Sequence, residues 1–425
     1  MRLILLLLVL LSNIPSEKSQ NLYRKALFLG NSYTYVNNLP ALTAALANSA
    51  GDSLYFESNA PGGYTLGWQP TAHVTNTVSL DLISSKNWDF VILQNQSQIP
   101  SISVLRDSCM YPASTILHDS VKLNNPCTRV LFYLTWGRRF GGTQCFTPNY
   151  CSPDFADFDH MQDSLTASYK SVADSLNDWI APVGEAWRLI LNTTPMVLHS
   201  SDNSHPNIKG TYLGACVFYA AIFGKSSIGL YSPATIHPDT ALILQQAADS
   251  VVFGYASYWN LWDDEPAASF IPTISGDTLF TENLSTTANE WRWDFGDGAT
   301  SNAFEPVHTY ENPGTYPVSL VAMNPCFTDT TVKEVTILPS TGEQICDLGS
   351  GIRIIGPDAQ GNIRFKGYQE DGTLLLYDLT GRLASSTWVA DGKTIIPTLP
   401  KQLYIYQLVN SSGTSLATGK FLISR

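Results

Sequence analysis

Residues 25–262 alternate short apolar runs with longer segments in which apolar positions recur every three or four residues. Three runs, at residues 25–30, 89–93 and 129–134, are continuously apolar after one charged residue. Such runs are expected for strands that are covered on both faces. Three longer segments show helical spacing, at residues 39–50, 163–179 and 210–223. This alternation predicts an α/β domain with a parallel sheet, in which an active site would lie at the carboxyl ends of the strands.

The pattern changes after residue 262. Short alternating runs then follow, separated by Gly, Pro, Asn and Asp, and this is typical of antiparallel β-sandwiches. A polar break that begins near Leu338 divides this part into two modules of domain size. We therefore predict an α/β domain over residues 20–262, followed by two small all-β sandwich domains over residues 265–338 and 345–425.

The first residues have the pattern of a secretory signal peptide. Met1 and Arg2 precede an unbroken apolar run from Leu3 to Leu11, and a polar stretch follows. A positive start, a short apolar run and a polar exit are typical of a cleaved export signal. A membrane anchor is the alternative, but the run is too short to cross a bilayer. We predict a signal peptide over residues 1–19, a secreted or cell-surface protein, and no stable membrane insertion.

The net charge of the chain limits the classes of partner that it can bind. Lys and Arg total 24 against 36 Asp and Glu, so the formal net charge is −12. An acidic balance of this size repels phosphate backbones, and we expect no nucleic-acid partner.

Seven cysteines suit an oxidising compartment, in which several should pair. Three pairs of cysteines are neighbours along the chain: Cys145 and Cys151, Cys109 and Cys127, Cys326 and Cys346. Cys216 lies in an apolar segment and is predicted to be a buried free thiol. The sequence has no Cys-x-x-Cys motif or His/Cys cluster, so we predict no metal site.

Two short motifs carry the candidate chemistry. Gly30-Asn31-Ser32 lies between the first predicted strand and the first helix, where a serine is close to the backbone N–H groups of a helix N-terminus. Asp202 and His205 share a loop before a later helix, and an Asp at this spacing can orient the imidazole. Taken singly, each motif also fits an ordinary role: a serine that starts a helix, or a capping Asp with an exposed loop His.

Taken in order, the motifs resemble the SGNH (GDSL-like) hydrolase family. Gly30-Asn31-Ser32-Tyr33 is similar to the Gly-Asp-Ser-Leu block, and residues 202–206 are similar to the Asp-x-x-His-Pro block. Further motifs resemble a bacterial subgroup of that family, at residues 61–66, 93–97, 135–138 and 182–187. The resemblance implies a flavodoxin-like three-layer SGNH hydrolase domain with Ser32, Asp202 and His205 as a catalytic triad.

The same resemblance implies an oxyanion hole formed by Ser32, Gly63 and Gln96. Gly62 is the alternative to Gly63. The third block departs from the family's Gly-x-Asn-Asp, and the strand register favours Gln96 as the amide donor, with Asn95 as its rival.

Four residues near the motif loops are candidate substrate-binding residues: Asn31, Asn95, Tyr64 and Trp136. Core or rim packing is the alternative for the aromatic residues. Arg138 and Arg139 could hold an anionic substrate group, although a surface pair is the simpler interpretation.

The function implied is that of an exported serine esterase. Ser32 would attack an oxygen ester, and water would cleave the acyl-enzyme. The expected substrate is an acylated, especially acetylated, extracellular carbohydrate or another small ester, and no cofactor is expected. Two alternatives stay open: a non-catalytic carbohydrate-binding adhesin on an inactive hydrolase scaffold, and a lipase or thioesterase that acts on longer acyl chains.

The C-terminal modules resemble two further families. Residues 291–298, 305–310 and 313–320 are similar to a PKD repeat, an immunoglobulin-like β-sandwich, in which Trp293, Phe295 and Tyr310 would be core residues. Residues 372–382, 395–399, 403–408 and 418–423 resemble the C-terminal sorting domain of type IX secretion, which implies the type IX export machinery as a partner. An ordinary small β-sandwich is the alternative for this last segment.

Overall fold

A computed structural model describes residues 21–338 and, within the C-terminal segment, residues 353–355, 362–366, 368, 370–396, 399–400 and 402–422. The predicted signal peptide, the predicted break after Leu338 and Cys346 lie outside these residues. The chain forms two compact units that divide between Asp264 and Glu265. The finer domain boundaries stay predictions.

The first unit is built on a five-stranded parallel sheet. Its strands are β1 (Tyr23–Leu29), β2 (Ser53–Asn59), β3 (Phe90–Leu93), β4 (Arg129–Tyr133) and β7 (Trp179–Ala181). A hairpin of β5 (Gly142–Thr147) and β6 (Tyr150–Phe155) lies outside the sheet. The strand order is β2-β1-β3-β4-β7, which is the order of flavodoxin-like folds. The prediction of a flavodoxin-like parallel sheet is therefore confirmed.

Nine α-helical segments occur among the described residues: α1 (Ser32–Tyr35), α2 (Leu39–Ser49), α3 (Thr77–Ser84), α4 (Ser103–Leu105), α5 (Tyr111–Asn124), α6 (Phe158–Leu176), α7 (Val183–Thr193), α8 (Ile208–Phe223) and α9 (Pro238–Gly254). Helix α8 contacts both α2 and α9, and α5 contacts both α3 and α6. Every residue of β3 and β4 is buried, as expected for central strands with helices on both faces.

One predicted helix has different boundaries. The helix expected at residues 163–179 begins at Phe158, because the Asp157 side chain caps it by accepting a hydrogen bond from the His160 backbone N–H. It ends at Leu176, since Asn177 is in the left-handed conformation with φ +55°. Trp179 therefore belongs to β7 and not to the helix.

Only some of the cysteines that are neighbours along the chain form a disulfide with each other. Cys145 and Cys151 form a disulfide that closes the β5–β6 hairpin. Cys109 is a free thiol, so it does not pair with Cys127. Cys216 is buried and free, as predicted.

The second unit contains antiparallel sheets. Its first part has β8 (Phe270–Ser275), β9 (Thr278–Asn283), β10 (Glu290–Asp294), β11 (Thr300–Ser301), β12 (Val307–Thr309), β13 (Gly314–Met323) and β14 (Thr328–Ile337). Two sheets, β11-β10-β13-β14 and β12-β9-β8, enclose a core that includes Trp293, Phe295 and Tyr310, as predicted.

The remaining strands form a second β core. They are β15 (Arg353–Ile355), β16 (Asn362–Lys366), β17 (Gly372–Tyr377), β18 (Leu383–Val389), β19 (Lys393–Ile395), β20 (Leu403–Asn410) and β21 (Ser415–Leu422). Their sheets are β15-β16-β19 and β18-β17-β20-β21. Leu374, Tyr404 and Tyr406 lie in the core between them. The all-β character predicted for the C-terminal half is confirmed. Among the described residues, no helix combines the length and apolar character needed to span a bilayer.

Candidate active site

Ser32 lies at the sharp junction between β1 and α1. Strand β1 ends at Leu29 and α1 begins at Ser32, so the serine is at the carboxyl edge of the sheet. Asn31 caps the helix, since its Oδ1 accepts a hydrogen bond of 3.1 Å from the Tyr33 backbone N–H. The Ser32 backbone N–H has no hydrogen-bond partner among the described residues.

Ser32, His205 and Asp202 form a continuous hydrogen-bonded chain. His205 Nε2 is 2.8 Å from Ser32 Oγ, and His205 Nδ1 is 2.5 Å from Asp202 Oδ2. An ionised carboxylate can only accept, so Nδ1 carries the proton and Nε2 presents its lone pair to the serine hydroxyl. This is the arrangement in which an imidazole can take a proton from a serine.

The loop that carries Asp202 and His205 is a closed turn. The Ser200 backbone N–H donates to the His205 carbonyl at 2.7 Å, and Asn203 adopts a left-handed φ of +60° that reverses the chain. Asn207 then caps α8 by accepting from two backbone N–H groups. The short Asp-to-His spacing therefore places the two side chains together before any substrate binds.

The Asp202 carboxylate is held in its charged form. Partial desolvation raises its pKa, but this effect is outweighed by the hydrogen bonds that Asp202 accepts from the His205 side chain and from the Ser204 and His205 backbone N–H groups. The net result is a pKa of about 2. The carboxylate can therefore stabilise a protonated His205 throughout the neutral range.

A stack of aromatic rings supports this loop from below. Trp136 lies between Tyr33 and Trp187, with ring centroids 4.5 Å and 3.9 Å apart and nearly parallel planes. The Trp136 indole N–H donates to the Ser204 carbonyl at 2.9 Å. Trp136 is only 1% exposed, so the substrate contact predicted for it is replaced by support of the triad loop.

The Asn31 side chain likewise bonds to other residues of the protein. It is buried, its Nδ2 donates to the Tyr64 carbonyl at 2.8 Å, and its Oδ1 also accepts from Gln94 Nε2 at 3.0 Å. Asn31 therefore has a positioning role in place of the predicted contact with substrate, because its side chain connects the Ser32 turn to the loop of Gly63 by a hydrogen bond.

Gln94 holds the serine turn from the neighbouring strand, and the sequence analysis missed it. Its Oε1 accepts from the Asn31 backbone N–H at 2.8 Å and from the Thr34 hydroxyl at 3.0 Å. A Cβ on Gly30 would lie 2.6 Å from Gln94 Oε1, so only glycine permits this approach. The sequence places Gln94 directly after a predicted strand, but the pairing of that strand with β1 is seen only in the structure.

His73 is a second supporting residue that the motifs did not indicate. Its Nε2 donates to the Gly30 carbonyl at 2.8 Å, and its Nδ1 accepts from the Ser79 hydroxyl at 2.7 Å. Burial lowers the pKa of His73 to about 4, although the bond to Gly30 opposes the shift. His73 is therefore a neutral brace beneath the turn that presents Ser32.

Gly63 lies on an exposed turn with φ +72°, and its backbone N–H has no partner among the described residues. The neighbouring Tyr64 is partly exposed, and its hydroxyl accepts from Asn76 Nδ2 at 3.4 Å. Gly63 can therefore donate to a bound group, and Tyr64 is the predicted aromatic contact that solvent still reaches.

The structure separates the two candidates for the amide donor. The Gln96 carboxamide is turned back on its own loop, since it donates to Gln98 Oε1 at 2.9 Å and accepts from the Gln98 backbone N–H at 2.7 Å. Asn95 is fully buried, and its Oδ1 accepts from the backbone N–H groups of Leu66 and Gln96. Its buried Nδ2 has no hydrogen-bond partner in the part of the chain that the structure describes. Both hydrogens of Asn95 Nδ2 are therefore unused, whereas one hydrogen of Gln96 Nε2 is used within its own loop.

Within the described residues, no three His, Cys, Asp or Glu side chains are grouped closely enough to hold a metal ion.

Comparisons with known proteins identify one module and align the α/β unit with several structures. Residues 271–338 match the family model of the PKD domain. A DUF4886 family protein from Bacteroides uniformis aligns at 18% identity with a TM-score of 0.46, over 55% of this chain and 96% of that chain. A catalytic mutant of an acetylxylan esterase from Geobacillus stearothermophilus aligns at 16% identity with a TM-score of 0.33, over 49% and 97%.

The PKD1 domain of Vibrio anguillarum Epp aligns at 28% identity with a TM-score of 0.17, over 17% of this chain and 94% of that chain. A comparison with curated proteins gives no match. The function of the α/β unit is therefore argued from its own residues.

The buried His73 predicts a pH dependence of stability. The unfolded chain takes up a proton on this residue near its ordinary pKa of 6.5, whereas the folded protein resists protonation until about pH 4. The stabilising contribution is complete above pH 6.5 and is lost as the pH falls towards 4. Urea unfolding at pH 7, 5.5 and 4.5 should therefore show a falling free energy of unfolding, with a flatter slope in His73→Gln. The exposed His237→Gln should keep the wild-type slope, and equal slopes in all three proteins would contradict this account.

Proposed function

We propose that this protein is a serine hydrolase that cleaves carboxylic esters through an acyl-enzyme on Ser32. The observation that carries the proposal is the hydrogen-bonded chain from Ser32 Oγ through His205 to Asp202. A serine hydroxyl is a weak nucleophile until a base accepts its proton, and His205 is placed to accept it. Ionised Asp202 supports the imidazolium that forms.

The reaction follows from these positions. Ser32 Oγ attacks the ester carbonyl while its proton moves to His205 Nε2. The resulting tetrahedral intermediate collapses as His205 returns the proton to the leaving alcohol. Water, deprotonated in turn by His205, then attacks the acyl-enzyme and releases the acid and free Ser32.

Three donors support the negative charge that develops on the carbonyl oxygen. The backbone N–H groups of Ser32 and Gly63 and the Nδ2 of Asn95 all lack partners among the described residues. Hydrogen bonds connect their loops, since Asn31 bonds to Tyr64 and Asn95 bonds to Leu66. We therefore propose Asn95 rather than Gln96 as the amide donor. A preorganised set of donors is usually the largest source of rate enhancement in such sites.

The substrate is an acylated extracellular carbohydrate in this proposal. Its support is the signal-peptide pattern, the PKD module at residues 271–338 and the disulfide between Cys145 and Cys151, which suit an extracellular protein. Export through the type IX machinery, with residues 345–425 as the sorting domain, is part of the same proposal and rests on the sequence resemblance.

The proposal predicts hydrolysis of p-nitrophenyl acetate by the full chain, and loss of that activity in Ser32→Ala. A series from acetate to octanoate measures the acyl preference, which should decline with chain length. Ser84→Ala is the matched control, because its exposed hydroxyl bonds only to carbonyl groups of its own helix α3. Equal rates in the wild type and Ser32→Ala would exclude the triad.

The amide donor is tested by two substitutions that exchange an NH₂ group for oxygen with little change of shape. Both also add a carboxyl group, so the donor is assigned from the difference between the two variants. Asn95→Asp should lower kcat about a hundredfold to a thousandfold, the usual cost of losing one oxyanion donor, with little change in KM. Gln96→Glu should change kcat by less than about threefold, since its carboxamide bonds within its own loop. A larger loss of kcat in Gln96→Glu than in Asn95→Asp would identify Gln96 as the amide donor.

A further inference from the structure

Arg138 lies beside the candidate active site and has no carboxylate partner among the described residues. Its guanidinium donates three hydrogen bonds to neutral acceptors: Nη1 to the Tyr33 hydroxyl at 2.6 Å, Nη2 to Ser97 Oγ at 3.0 Å and Nε to Gln144 Oε1 at 3.2 Å. Tyr33 directly follows Ser32 in the chain. Arg138 is therefore not the surface residue that the sequence favoured.

Three other arginines of this protein contact a carboxylate, whereas the partly exposed Arg24 and Arg139 have no carboxylate partner among the described residues. Arg106 is 2.7 Å from Asp107, Arg129 is 3.1 Å from Asp264 and Arg188 is 2.8 Å from Asp163. A partly desolvated charge is stabilised by an opposite charge, and in these three cases the chain supplies one. At Arg138 the chain supplies only neutral oxygen atoms.

The hydrogen bonds around Arg138 leave an excess of donors. A guanidinium has five N–H groups, and three of those of Arg138 are used, so one hydrogen each on Nη1 and Nη2 is free. Ser97 Oγ accepts from Arg138, and its own hydroxyl hydrogen has no acceptor among the described residues. The Tyr33 and Ser204 hydroxyls bond to each other at 2.8 Å, so whichever donates, one further hydrogen is left over.

These donors lie next to the proposed triad. Ser204 precedes His205, and the Tyr33 ring centroid is 5.4 Å from that of His205. Arg138 Nη1 and Ser204 Oγ both lie within 2.8 Å of the Tyr33 hydroxyl. Arg138 and Ser204 are partly exposed, so a group on a bound substrate can reach them.

We propose that Arg138, with the Ser204 hydroxyl that the buried Tyr33 orients, binds the carboxylate of a hexuronic acid, so that the substrate is an O-acylated acidic glycan. A planar guanidinium with adjacent free N–H groups matches the two oxygens of a carboxylate, and a hydroxyl donor completes its solvation. The substrate class rests on the proposed function, whereas the anion site itself rests on the contacts of Arg138.

The test is isothermal titration of the full chain carrying Ser32→Ala, which cannot turn over an ester in this proposal. The ligands are methyl galacturonoside and its uncharged 6-methyl ester, which differ at the carboxyl group alone. The acid should bind at least about tenfold tighter, as expected for hydrogen bonds to a charged group, and the preference should shrink as salt is added. Equal affinities for the two ligands would overturn the inference, and this comparison needs no variant of Arg138.

Two further variants assign the effect to a residue. Adding Arg138→Gln should bring the two affinities together, while Arg139→Gln should preserve the preference, because the Arg139 side chain packs over Phe140. A preference that survives Arg138→Gln would refute the assignment. If ester hydrolysis fails but the Arg138-dependent preference is seen, the proposed function falls and the anion site stands. Ester hydrolysis without any charge preference removes the anion site alone.

Discussion

The hydrogen bond between Ser32 Oγ and His205 Nε2 joins two loops that are 173 residues apart in the chain, and the other features of the site depend on it. It can form only if the end of β1 and the loop before α8 meet at the carboxyl edge of the sheet. The flavodoxin-like strand order provides this, since β1 lies inside the sheet and its serine turn projects above it. Much of the polar structure nearby keeps these two loops in place.

The supports act on the two loops separately. Gln94 and His73 hold the turn around Gly30 and Asn31, each with short hydrogen bonds from buried side chains. Trp136 holds the other loop through the Ser204 carbonyl. Tyr33 connects the two, because it stacks on Trp136 and bonds to Ser204. A site built in this way is preorganised, so little reorganisation is required when charge develops on the substrate.

The features that depend on local pattern could be predicted from the sequence. Continuous apolar runs indicated the buried strands, and the motifs around Ser32 and His205 indicated the residues that the fold brings together. The end of α6 could not be predicted from apolar spacing, because it depends on the left-handed Asn177. The three-residue strand β7 is likewise too short to produce a periodic signal.

The supporting residues and the amide donor were harder to predict for a different reason. The choice between Asn95 and Gln96 depends on how the chain turns after β3, where Gln96 bends back to bond to Gln98. The role of Gln94 depends on which strand lies beside β3. Trp136 was a candidate for substrate contact with core packing as the alternative, and the sequence could not decide between them, because a tryptophan near a motif loop gives no indication of whether other rings cover it. Arg138 could be interpreted only after its partners were known.

The central claim is that Ser32 is an activated nucleophile, and covalent labelling tests it most directly. The full chain would be treated with a fluorophosphonate at neutral pH, and the adduct would be located by mass spectrometry of its peptides. Our account predicts one adduct per chain, on Ser32, and its loss in His205→Ala, because the base is then absent while the serine stays in place. No adduct, or an adduct on another residue, would contradict the assignment of Ser32 as the nucleophile.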